Sequence, residues 1–188
     1  MPIDPKMMES FNNIKNTIYK NNTSMSRYDF QELVEILTKS EWNQDELEAL
    51  GLLKGYVNAI KNNTEDLGSK IIELNAIDFS NKIRLNDFLK EIILLIDGFI
   101  DSLSAVISVV EFDDNRINVE MSLARLKSLR NSLIHKMNEY SKMTSGIEFS
   151  QDQSNFMKVL VHDIIDSITK ESFQLRIQKL SEILNNKF

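Results

Sequence analysis

Residues 91–110, EIILLIDGFIDSLSAVISVV, form the most apolar stretch of this 188-residue sequence and decide its fold class. The stretch is interrupted by three acidic residues, Glu91, Asp97 and Asp101. Charged side chains are costly inside a bilayer, so these acids argue against a membrane span. Asn86 precedes the stretch and is a candidate N-cap. We therefore predict a buried core helix from Asn86 to about residue 110.

Helical spacing of apolar residues continues on both sides of this stretch, and only two prolines and five glycines interrupt the chain. We predict helices over residues 7–21, from an N-cap at Ser26, after Asn43, over 117–143, and over 155–184 with a break near Thr169. Connections are predicted at NNTEDLGS (62–69) and TSGIEFSQDQS (144–154). No alternating run long enough for a convincing strand occurs. The predicted fold is a single all-α domain over residues 1–188, a bundle of six or seven helices with residues 1–80 as accessory helices.

Composition narrows the classes of function and site. The chain has no cysteine, which excludes disulfides and thiolate metal sites and fits a reducing compartment. Its two histidines, 27 positions apart, make no recognisable metal-ligand set, so no cofactor or metal is expected. The first residues lack the apolar stretch of a secretory signal. We expect a cytoplasmic protein that does not insert into membranes.

Charge is distributed unevenly along the chain, whose net charge is −6. Residues 29–50 carry seven acids and one lysine, whereas residues 122–143 carry five bases and one glutamate. The overall negative charge disfavours extensive coating of nucleic acid. The basic segment indicates either a solvated helix face or a local surface for an anionic ligand.

The basic segment contains SLRNSLIHKM, residues 128–137. The apolar residues of this helix recur at steps of three and four and predict its core stripe: Leu126, Leu129, Leu133, Met137 and Tyr140. At 100° per residue, His135 lies about 180–200° from that stripe and Asn131 lies one turn before it on the same face. Arg130 lies about 140° around the helix from His135, but its long side chain can reach toward the face that carries His135 and Asn131. The three side chains are thus predicted to meet on an outward surface.

Arg130-Asn131-Ser132-Leu133-Ile134-His135 resembles the motif of the HEPN superfamily, in which four to six residues separate an arginine from a histidine and a polar residue often follows the arginine. The resemblance extends over residues 85–188, although six residues carry it. It implies an all-helical bundle and, in many members, a metal-independent ribonuclease of toxin–antitoxin, abortive-infection or CRISPR systems. It also implies a homodimer with two motifs at one composite site.

The side chains suit this chemistry. Histidine can act as acid or base near neutral pH, and the guanidinium fork suits a crowded phosphate. Asn131 would orient His135 or a phosphate oxygen. Asp97 and Asp101 lie on one polar stripe of the preceding helix. This stripe either faces solvent or places Asp97 or Asp101 opposite His135 as a supporting acid. The bases expected to contact RNA are Arg125, Lys127 and Lys136.

Two other interpretations remain open. His162-Asp163 resembles the phosphoacceptor box of two-component histidine kinases, but the expected proline and an ATP-binding domain are missing. An ordinary boundary position beside Asp166 fits His162 better. The second interpretation is a non-enzymatic helical interaction protein, such as an antitoxin, inhibitor or scaffold. Its acidic second and third helices would bind a protein partner.

Overall fold

The computed structural model describes residues 9, 28–39, 41–42, 44–77, 81–111, 119–143, 151–171 and 173–187. Its fold is all-α, which confirms the predicted class. The described residues contain six helices: α1 Phe30–Lys39, α2 Gln44–Ala76, α3 Lys82–Ile107, α4 Val119–Met143, α5 Gln151–Thr169 and α6 Gln174–Lys187. Two strands of two residues each, β1 Tyr28–Asp29 and β2 Val110–Glu111, pair in parallel. The helix predicted over residues 7–21 lies outside the described residues, apart from Glu9.

The chain divides into two compact units. The first comprises the described residues of Met1–Lys61, Asp101–Leu123 and Ser172–Phe188. The second comprises those of Asn62–Ile100 and Ala124–Glu171. Three of the four boundaries fall within α2, α3 and α4, which each contribute residues to both units, and the fourth falls between α5 and α6.

In the first unit, α1 packs on α6 and the strand pair joins residue 28 to 110 and residue 29 to 111. The sequence placed the N-cap of α1 at Ser26, but the helix begins at Phe30. The Asp29 carboxylate accepts a 2.7 Å hydrogen bond from the Glu32 amide, so Asp29 caps the helix. The prediction was wrong because residues 28 and 29 are extended and paired with β2.

A polar cluster joins α2 to α6 within the first unit. The Ser181 hydroxyl, which is almost fully buried, donates to the Asn58 side-chain oxygen at 2.9 Å. The Asn185 amide donates to the same oxygen at 2.9 Å, and the Asn58 amide donates back to Asn185 at 3.2 Å. Since buried polar groups are costly without partners, this cluster favours one register of the two helices.

The connection predicted at residues 62–69 was wrong, because α2 continues as one helix through that segment. Ile60, Leu67 and Leu74 follow one another at seven-residue intervals and are at most 1% exposed. Gly68 lowers helix propensity by about 1 kcal/mol relative to alanine. Burial of leucine side chains on the same helix offsets that cost, since each contributes about 1.5–3 kcal/mol.

Helix α3 contains residues 91–107 of the apolar stretch that the sequence identified, whereas Val110 at its end belongs to β2. Its buried residues include Leu85, Leu89, Ile92 and Ile96, which confirms a core helix. Its cap is Asn81 rather than the predicted Asn86, since the Asn81 side-chain oxygen accepts a hydrogen bond from the Arg84 amide at 3.1 Å. None of the described helices is long and apolar enough to cross a membrane.

The C-terminal helices agree with the predicted break near Thr169, since α5 ends there and α6 begins at Gln174. The loop predicted over residues 144–154 was wrong at its end, because Gln151 already belongs to α5. Ser154 within that segment is a buried residue of this helix. Residues 144–150 lie outside the described residues.

Candidate functional site

Helix α4 has the orientation that the sequence predicted. Leu126 is 5% exposed and Leu133 is fully buried, whereas Leu129 and Met137 lie at the edge of the buried stripe. Tyr140 belongs to the helix, but its side chain lies outside the described part. The helix therefore turns its predicted apolar stripe toward the core and leaves the opposite face accessible.

That opposite face carries His135 and Asn131. The His135 side chain is 77% exposed, and Asn131 is exposed one turn before it. Both belong to an open, shallow groove of about 580 Å³. The described residues that line it all lie on α4: Ala124, Lys127, Ser128, Asn131, Ser132, His135 and Lys136. The groove thus combines a histidine, two lysines and three small polar side chains on one accessible face.

Arg130 contacts two elements at once within the second unit. Its Nε and Nη2 donate to the two carboxylate oxygens of Asp97 on α3, the latter at 3.0 Å. Its Nη1 donates to the Asn131 side-chain oxygen at 3.3 Å. Bidentate pairing fixes the plane of a guanidinium. Asp97 therefore orients Arg130, and Arg130 in turn orients Asn131 at the groove.

Glu139 links two residues of the groove. Its Oε2 lies 3.7 Å from His135 Nε2 and accepts a hydrogen bond from the Lys136 ammonium at 3.3 Å. The spacing of four and three residues places all three side chains on adjoining positions of α4. This carboxylate therefore holds the Lys136 side chain beside His135.

Acidic partners reduce the positive charge predicted for this helix. Arg125 pairs with Glu171, Arg130 with Asp97, and Lys136 with Glu139. Within the described part of the chain, Lys127 and Lys142 have no ion-pair partner. Lys127 lines the groove, whereas Arg125 does not. The groove is accordingly less cationic than the sequence of α4 alone suggests.

The two predicted supporting acids have different surroundings. Asp97 contacts Arg130, and the ion-pair partner of His135 among the described residues is Glu139. Asp101 is exposed in the first unit. Burial, together with the charge of Asp101, raises the pKa of the Tyr56 hydroxyl. Asp97 is thus joined to the motif through Arg130.

A second charged cluster lies on α2 and α3 in the second unit. The Lys70 ammonium donates to Glu91 at 2.6 Å and to Glu73 at 3.0 Å, and lies 5.7 Å from the centre of the Phe88 ring. The hydrogen bond to Glu91 raises the pKa of Lys70, although partial burial opposes the shift. These contacts satisfy the lysine charge locally. Among the described residues, no group of three or more histidine or acidic side chains is placed to hold a metal ion.

His162 occupies the ordinary boundary position that the sequence favoured. Its Nδ1 lies 3.4 Å from Asp166, which also pairs with Lys170 at 3.3 Å. The side chain is 47% exposed. His162 therefore resembles His135 in having an acid one turn later, but it lines none of the grooves described here.

Sequence reasoning missed three partners of the motif helix. Glu139 was detectable, because it follows His135 by four residues. Glu171 pairs with Arg125 from 46 positions away, and local spacing gives no signal for such a contact. Phe156 also contacts α4, with its ring centre 5.7 Å from the Lys136 ammonium. Helical periodicity could have identified Phe156 as a surface residue, because it lies off the buried stripe of α5. That stripe consists of Met157, Val161, Ile164 and Ile168.

The chain was compared with protein families, curated proteins and solved structures. No family model, curated protein or solved structure matches the chain.

Proposed function

We propose that the protein is a metal-independent endoribonuclease of HEPN type, or a module derived from one, in a bacterial or phage conflict system. The observation that carries the proposal is the exposed His135 on one groove with Asn131, whose side-chain oxygen accepts a hydrogen bond from Arg130. Arg130 itself pairs with Asp97 and does not line that groove. A histidine near a fixed guanidinium is a combination suited to phosphate chemistry. The resemblance of the six-residue motif supplies the nuclease assignment.

The proposed reaction uses the RNA itself as nucleophile. The 2′-hydroxyl loses its proton to one His135 and attacks the adjacent phosphorus, and Arg130 stabilises the negative charge on the phosphorane oxygens. The bond to the 5′-oxygen then breaks as that oxygen receives a proton. The products are a 2′,3′-cyclic phosphate and a 5′-hydroxyl end. A second chain would supply the histidine that acts as acid, which makes a homodimer part of the proposal.

The test is cleavage of total bacterial RNA by purified protein in EDTA. We expect cyclic-phosphate ends with wild type and at least a 100-fold lower rate with His135→Ala, since a general acid or base contributes about 10²–10⁴-fold. His162→Ala is the matched control, because it removes the other histidine and its own i,i+4 acid contact. We expect this control to cleave like wild type.

Three results would contradict the nuclease proposal: no cleavage by wild type, equal cleavage by His135→Ala, or activity that needs added magnesium. Arg130 is tested with Arg130→Lys, which keeps the charge but loses the bidentate fork. We expect that variant to fold and to lose most of its activity.

The alternative is a non-enzymatic helical protein that binds a protein partner, for example as an antitoxin, inhibitor or scaffold. The observation that favours it is the exposed acidic surface of α1 and early α2, where Glu32, Glu35 and Glu48 are exposed. Under this alternative, Glu32→Lys combined with Glu35→Lys abolishes partner capture, whereas His135→Ala leaves it unchanged. The nuclease proposal predicts that the double charge reversal leaves RNA cleavage intact.

A further inference from the structure

We infer that Phe156 of α5 and Lys136 of α4 form a stacking position for an unpaired nucleobase beside the groove, an inference that rests on the proposed ribonuclease function. The substrate class it implies is single-stranded RNA. The bases of a duplex are already stacked and paired and cannot lie on a protein side chain without being extruded.

Phe156 is exposed at a position where the helix could have carried a polar side chain. The next residue, Met157, is 1% exposed, and Val161 and Ile164 of the same stripe are fully buried. Phe156 lies about 100° from that stripe and is 47% exposed. Val159, three residues later, is 60% exposed. The two side chains make an apolar step on the accessible surface of α5.

Lys136 connects this step to the groove. Its ammonium lies 5.7 Å from the centre of the Phe156 ring, which is within cation–π range. Lys136 also lines the groove that contains His135, and Glu139 contacts both residues. The aromatic ring is therefore joined to the catalytic face by one lysine, which follows His135 directly in the chain.

The three groups match the parts of one nucleotide. The Phe156 ring offers a stacking surface for any base, because every base has a π-face. The Lys136 ammonium lies over one face of the ring and can contact the phosphate of a nucleotide whose base stacks on the other face. The apolar Val159 side chain widens the surface without adding hydrogen-bond specificity. The geometry thus favours a position that requires an unpaired base but does not select which one.

The test measures binding in the His135→Ala variant, called the parent below, which retains Lys136 and Phe156 and in which cleavage is expected to be at least 100-fold slower. The probes are fluorescently labelled oligouridylate and a labelled ribose-phosphate strand of the same length without bases. We expect Phe156→Leu to weaken oligouridylate binding by roughly 5- to 150-fold, the contribution of one stacked base. Binding of the abasic strand should not change. The control is Leu94→Ala, which truncates another exposed apolar residue, 70% exposed on α3.

Phe156→Trp gives a second readout. It should retain oligouridylate affinity, and base stacking should quench its emission more than that of the parent, whose only tryptophan is Trp42. Melting curves check that Phe156→Leu remains folded. If the parent binds oligouridylate and Phe156→Leu binds it equally well, the stacking position is overturned while the nuclease proposal stands. If the parent binds neither RNA nor the abasic strand, both proposals fail.

Discussion

Arg130 is constrained by its neighbours more than an exposed catalytic arginine would be. Its side chain is 28% exposed and that of Asp97 is 37% exposed, so the pair is neither buried nor freely solvated. Exposed ion pairs contribute about 0–1 kcal/mol, whereas breaking a buried pair costs about 3–5 kcal/mol. We therefore expect this bidentate pair to contribute an intermediate amount to the free energy of unfolding. Arg130 thus has a structural role that any test of catalysis must separate from its chemistry.

We predict that Asp97→Ala and Arg130→Ala each lower the free energy of unfolding by about 1–2 kcal/mol, because each removes charged hydrogen bonds and leaves its partner without them. The double variant should lose about 1 kcal/mol less than the sum of the two. Urea denaturation of all four proteins measures this coupling. Arg125→Ala is the control, since its 59% exposed side chain should contribute less than about 1 kcal/mol. Strict additivity of the two single changes would contradict the pairing.

His135 and Leu133 test the orientation of α4 from opposite faces. We predict that His135→Ala changes the free energy of unfolding by less than about 0.5 kcal/mol, as expected of an exposed side chain. Leu133→Ala should cost about 2–5 kcal/mol, because Leu133 is fully buried and its truncation leaves a cavity. Denaturant midpoints of the two variants provide the comparison. Equal losses would mean that the helix is rotated from the orientation described here.

At the scale of the helices, local sequence identified the core but misplaced several boundaries. Leu126, Leu133 and His135 were oriented correctly, since helical periodicity depends only on residues of the same helix. The false break at residues 62–69 has a tertiary cause. An ideal Cβ on Gly98 of α3 would lie 2.8 Å from the Asn63 side-chain nitrogen, so the missing Cβ makes room for this asparagine. A pattern confined to one helix cannot reveal such a partner.

Glycine substitutions test this packing directly. We predict that Gly68→Ala stabilises the protein by about 0.5–1 kcal/mol, because no atom lies within 4 Å of the added Cβ and alanine favours the helix. Gly98→Ala should be less stabilising or destabilising, since Asn63 must move. In an Asn63→Ala background, the two substitutions should have similar effects. Urea titrations of the six proteins measure this, and equal effects of both glycine changes beside native Asn63 would contradict the packing.

At the scale of the whole molecule, the charge pattern was only partly predictable. The sequence correctly located the basic residues on one helix, but Asp97 and Glu171 pair with two of them from distant positions. Asp97 belongs to α3 and Glu171 lies between α5 and α6, so a count along α4 overestimates its positive charge. This lower charge matters for the proposed composite site, in which two copies of α4 face each other. Two copies of α4 that face each other would therefore repel each other less strongly than two helices that each carry five unpaired bases.

We expect the proposed homodimer to be sensitive to salt because of this remaining repulsion. If two groove faces meet in a homodimer, Lys127 of each copy approaches the other, and screening weakens as the Debye length rises from about 8 Å at 0.15 M to 30 Å at 0.01 M. We predict that sedimentation shows a dimer that weakens at low salt in the absence of RNA. Lys127→Glu should remove most of that dependence, whereas Lys90→Glu, an exposed position on α3, should not. A monomer at high micromolar concentration under every condition would eliminate the composite site, because a single His135 cannot act as both base and acid on opposite sides of one phosphate.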